Sequence, residues 1–150
     1  MWGIRKPLVV QSVRLLQPEL VVEQRTTSSD ISALVQAVQA AVSAAADSTA
    51  QAAVVAVAIR PGRRCRLWTE FIGGAVALNT QMDDAISKSL ASPDVTDLVS
   101  FVVYLARGPA EIPEVPQAWR AVFEAATAPM QVPDDVVALL WPEGSVSPMR

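Results

Sequence analysis

The sequence predicts an α+β fold: a small antiparallel sheet built on a ββαβ unit, packed by an N-terminal helix and closed by two short C-terminal helices. Three observations predict it. Residues 53 to 71 read as two apolar runs either side of a Pro61-Gly62 turn; Ile31 to Ala45 carries apolar residues three or four apart; and the chain after Gly108 is broken by prolines into short helical pieces. At 150 residues the chain has the length of one domain, 1–150, comprising a β-rich segment 1–27, a core 28–108 and a proline-rich helical tail 109–150.

Composition sets the bounds. With 51% apolar and 18% charged residues, the chain can bury enough surface to fold rather than remain disordered. Aromatic residues make up only 5%, so the core is expected to consist mainly of alanine and valine, into which four tryptophans must fit. A net charge of −3 gives no general attraction to nucleic acid or to anionic lipid. The single cysteine excludes an internal disulfide, and the lack of histidine removes the commonest zinc ligand, so neither metal nor cofactor is expected. No run of about 18 apolar residues offers a membrane span, and Gln11, Ser12, Arg14 and Gln17 interrupt the N-terminal apolar stretch that a signal peptide would need. The expected location is the cytoplasm if Met1 is the native start, and the periplasm if a leader preceded it.

The elements follow in order. Leu8 to Leu16 and Glu19 to Val22 read as two short strands separated by Pro18. A helix over 29–47 follows, with Ser28 or Ser29 as its cap and Asp30 at the positive end of its dipole. Ala53 to Ile59 is apolar on both faces and should be central. In the returning strand Cys65, Leu67, Thr69 and Phe71 should face inward, while Arg66, Trp68 and Glu70 take the wetter face. Gly73-Gly74 ends it. Asn79 or Thr80 can cap a helix carrying Met82, Ala85, Ile86 and Leu90, stopped at Ser92-Pro93. Leu98 to Leu105 is the third core strand. In the tail, short helices are expected at about 117–126 and from Asp134 to Trp141; neither would be stable without docking.

Val55, Val57, Pro61, Gly62, Arg63, Arg66 and Trp68, with Phe101 and Val103 in the last strand, form a pattern that resembles the C-terminal domain of TonB- and TolA-type proteins, as found in a TonB-like module of bacterial proteins. The resemblance covers roughly a third of the chain and implies a ββαβ scaffold able to accept an added strand or dock a partner. That family uses a Tyr-Pro pair near its recognition strand, whereas the only tyrosine here, Tyr104, precedes Leu105. Energy transduction is therefore not implied.

The residues themselves offer little reaction chemistry. Cys65 has no histidine to activate it and occupies an inward strand position. Asp83-Asp84 and Asp134-Asp135 lie at helix starts, where the dipole favours carboxylates, and adjacent residues on a helix diverge. The electrostatic feature is the cluster Arg60, Arg63, Arg64 and Arg66, which with Trp68 forms the candidate partner-binding surface. An acidic protein surface would suit it, including the Glu111, Glu114 and Glu124 of a second copy in a homodimer; the overall acidity argues against nucleic acid. The tryptophans Trp2, Trp68, Trp119 and Trp141 are expected to pin the tail to the sheet. The function that follows is a non-enzymatic protein-interaction module acting through a sheet edge or the arginine hairpin. Alternatives are an immunity or adaptor protein against a toxin, and a small hydrolase or transferase using carboxylates.

Overall fold

The computed structural model describes residues 8–45, 50–73, 87, 88, 90, 92–107, 111–125, 137, 140 and 141. Four strands, β1 (Val9–Leu15), β2 (Ala52–Arg60), β3 (Arg64–Ile72) and β4 (Val99–Ala106), form one antiparallel sheet in the order β1-β4-β2-β3. The α+β architecture is therefore as predicted, with β1 added to the sheet through its pairing with β4. Among the described residues the helices are α1 (Glu19–Arg25), α2 (Ser28–Ala45) and α3 (Gln117–Ala125).

Strands β1 and β2 run parallel with β4 between them, and β3 and β4 run parallel with β2 between them. Both connections thus step over a strand, which makes β2 and β4 central. All nine residues of β2 are buried, because each of its faces is covered. On one face Val55, Val57, Phe101 and Val103 pack under Leu34, Val38 and Val42 of α2. On the other, Val54, Ala56, Ala58 and Val102 lie with Trp119, Val137 and Trp141 of the tail. Alanines at the centre of β2 leave the depth that indole rings need, so the two faces are filled by different side-chain sizes.

One predicted strand is overturned. Glu19 to Val22 begins α1 and is not a strand. The carbonyl of Pro18 accepts hydrogen bonds from the amides of Val21 and Val22, Glu19 stands in the first turn and Arg25 in the last. Proline ahead of an acidic first turn and a basic last turn fits the helix dipole, which outweighs the strand preference of Val21 and Val22. The cap of α2 is also displaced by one residue: Thr27 Oγ1 accepts from the Asp30 amide at 3.1 Å, and Ser28 is already helical. The expected wet face of β3 is likewise covered, since Trp68 is only 5% exposed. The tail closes over it.

The predicted helix around residues 81–90 is represented by helical Ser87 and Lys88; its proposed caps Asn79 and Thr80 lie outside the described residues. So do Gly74, Asp134 and most of the second tail helix, of which Val137 and Leu140 are helical.

Candidate functional site

The predicted arginine surface separates into two parts. The β2–β3 hairpin turns through Pro61, Gly62 and Arg63, with Gly62 at φ 90° and Arg63 at φ 60°. Gly62 adopts this conformation at no steric cost, whereas Arg63 is a side-chain-bearing residue in the left-handed region. The Gly62 amide donates to Asp94 Oδ1 at 3.1 Å, which ties the tip to the approach to β4. Arg63 is exposed, and Arg64 Nε donates to the carbonyl of Pro61 at 2.9 Å.

Arg60 and Arg66 belong to the tryptophan side of the sheet. The Arg60 guanidinium lies 4.3 Å from the centre of the Trp141 ring, and that of Arg66 lies 5.5 Å from the centre of Trp68. Arg60 is buried, so its contact with the ring face takes place away from water, where a cation over an indole is worth more than at the surface. Trp68 meets Trp119 edge to face, with centroids 5.6 Å apart and planes at 75°. These residues fasten the tail to the sheet, and Trp68 is part of that core rather than of an open surface. Trp119 and Trp141 are buried as the sequence predicts for pinning residues; Trp2 lies outside the described residues.

The remaining candidate groups are tied into local structure. Burial pushes the Cys65 thiol up to about 12, which makes it a poor nucleophile at neutral pH. Glu70 receives two hydrogen bonds from the Arg120 guanidinium at 2.9 and 3.3 Å, a paired geometry that anchors α3 to β3. Glu114 pairs with Arg14 at 3.5 Å, and its carbonyl accepts from the Tyr104 hydroxyl at 2.6 Å. Burial raises the Tyr104 pKa, with Arg14 acting against it and Glu114 with it. Glu111 is exposed; the side chain of Glu124 and the pairs Asp83-Asp84 and Asp134-Asp135 lie outside the described residues. Among the described residues no three acidic or thiol side chains gather into a metal-binding group, and no helix is long and apolar enough to cross a membrane.

A second surface arises from α1. A cleft of about 370 Å³ opens between β1, α1 and α2. Val13, Leu15, Val22, Ile31 and Val35 line its apolar part, and Glu19 and Glu23 stand at its rim. Helix α1 is held by the strand approach at its far end: Arg25 pairs with Asp97 at 3.6 Å, the Thr96 amide donates to the Arg25 carbonyl at 3.2 Å, and Arg25 also bonds the Leu98 carbonyl. Buried Gln17 continues the β1–β4 ladder with its side chain, donating to the Leu98 carbonyl and accepting from the Ser100 amide, each at 3.1 Å. The cleft wall is therefore built by contacts spanning more than 70 residues of sequence.

The strand beside the cleft is an edge strand. The Leu16 amide donates to the Ser100 carbonyl, so by the alternation of an antiparallel ladder Arg14 and Ser12 face β4 while Val13 and Leu15 turn their backbone groups outward. The register irregularity between Val10 and Ser12 reverses the alternation, so that Leu8 and Val10 also point outward. Their amides donate to Ser43 Oγ at 3.1 Å and to Gln39 Oε1 at 2.8 Å, both on α2. Among the described residues no such partner covers Val13 and Leu15. Among the described residues the exposed large hydrophobic ones are Val9, Val13 and Leu20, at 44%, 38% and 72%, all in β1 and α1.

Sequence reasoning missed this surface because it read α1 as a strand; the signal available was Pro18-Glu19 at one end and Arg25 at the other. Comparison adds no relative: no protein-family model, curated protein or solved structure matches the chain.

Proposed function

We propose that the chain is a non-enzymatic protein-interaction module that binds a protein partner through an edge of its sheet. The observation that carries this reading is the open half of β1, where the outward backbone groups of Val13 and Leu15 adjoin an apolar cleft. An unpaired strand edge accepts another strand through main-chain hydrogen bonds, and neighbouring pockets give such additions their specificity. The TonB-like pattern of the hairpin and last strand contributes the same capacity to this reading.

A second docking mode, through the arginine hairpin, is favoured by Arg63. Glycine would occupy its left-handed conformation more cheaply, and strain of about 1 kcal/mol kept at an exposed turn points to use of the side chain. Capture of partners on the immobilised chain, quantified by mass spectrometry, separates the modes. Val13→Pro removes an outward amide without breaking the β1–β4 ladder, and should reduce capture at least tenfold; Arg63→Glu with Arg64→Glu should do so if the hairpin is the surface. Capture unchanged in both variants overturns the module reading.

A further inference from the structure

We propose that the cleft between β1, α1 and α2 seats an extended strand from a protein partner, with an apolar side chain in the cleft and a lysine or arginine next to Glu19 and Glu23. This rests on the reading of the chain as an interaction module and names the chemistry of its partner. The backbone selects a strand: the outward amides and carbonyls of Val13 and Leu15 are spaced as an extended backbone pairs them, and the edge is left open beside the cleft while α2 closes it at Leu8 and Val10. The lining selects an apolar side chain. Val22, Ile31 and Val35 form a surface that water wets at a cost, and about 370 Å³ lies within the range of pockets that hold a ligand group.

The rim selects the charge. Glu19 and Glu23 are exposed, four residues apart on one side of a seven-residue helix, and neither forms an ion pair among the described residues. Like charges at this spacing disfavour a helix, and a cation set between them converts the repulsion into attraction. The other wall carries Thr27, Ser28 and Ser32, which can hydrogen-bond but supply no cation. The complementary partner is therefore a strand whose cleft-facing residues, every second one, include both apolar and basic side chains.

Two synthetic ten-residue peptides test this, one in which every second residue is in turn leucine and lysine with threonine between them, the other with glutamate in the lysine positions. Their affinities for the full chain are read by fluorescence anisotropy, and the site by amide chemical shifts. The lysine peptide should bind about tenfold or more tighter, equivalent to about 1.4 kcal/mol. Its shifts should centre on Val13, Leu15, Glu19 and Glu23. The double variant Glu19→Lys, Glu23→Lys should reverse the preference, while Glu111→Lys, outside the cleft lining, should leave it in place. Equal affinities, shifts centred on the hairpin, a preference that survives the double reversal, or self-association through β1 in sedimentation would each overturn the proposal. If neither peptide binds while partner capture still depends on Val13, this strand chemistry fails and the module reading stands; if capture is also indifferent to Val13 and to the hairpin, both fail.

Discussion

The two halves of β1 are treated in opposite ways by helix α2. At Leu8 and Val10 the outward amides are met by Ser43 and Gln39, so that half of the edge offers no donor to an incoming strand. At Val13 and Leu15 the cleft lies between the strand and α2, and no described side chain takes the outward groups. The irregularity between Val10 and Ser12 divides the two regimes. Edge strands invite indiscriminate pairing, and proteins blunt them with bulges and covering side chains. Here the blunting stops where an apolar cleft begins, which is the pattern expected of an edge kept for selective use.

The largest effect comes from removing the floor of the open half. Phe101 stands opposite Leu15 in β4 and is fully buried under α2. Phe101→Ala should destabilise the fold by about 3–5 kcal/mol in urea titration. A loss below about 1 kcal/mol would mean that the sheet does not bear on this residue. A smaller change makes the two halves alike: Gln39→Ala frees the Val10 amide at a cost of about 1 kcal/mol, since the exposed group can turn to water. In that variant Val10 should exchange its amide hydrogen as fast as Val13; protection unchanged at Val10 would show that Gln39 does not close the edge.

A further effect concerns the opposite edge, β3. Burial holds the Cys65 pKa near 12 in the folded chain against 9.0 for the free thiol. The thiol keeps its proton longer when folded, so its contribution to stability is intact below pH 9 and is lost as pH rises toward 12. The urea midpoint should fall between pH 8.5 and pH 10.5, and Cys65→Ser should flatten part of that fall; Tyr104, whose pKa is raised in the same direction, contributes to what remains. An identical pH dependence in the serine variant would show that the thiol is not desolvated.

Much of the fold was legible in the chain because it rests on local periodicity. The two-sided run of β2 announced a central strand, the three-and-four spacing from Ile31 announced α2, and Pro61-Gly62 announced the hairpin. What was illegible depends on contacts remote in sequence. Trp68 alternates as a solvent-facing residue should, and only Trp119, some 50 positions later, makes it part of a core. Val21 and Val22 favour a strand locally, yet α1 is held by Arg25 against Asp97 and Leu98 and by the Pro18 carbonyl. The cleft could not be read because no single segment contains it. Likewise, nothing at Arg60 in the sequence distinguishes it from exposed Arg63; the difference comes from Trp141.

Amide hydrogen exchange along β1, in the free chain and with the lysine peptide bound, reads out whether the Val13–Leu15 half of the edge is open and takes up a strand. Leu8 and Val10 should be protected in both states, and Val13 and Leu15 should exchange rapidly when free and become protected on binding. Protection of Val13 and Leu15 in the free chain, or exchange there that the peptide leaves unchanged, would contradict an edge that is open and takes up a strand.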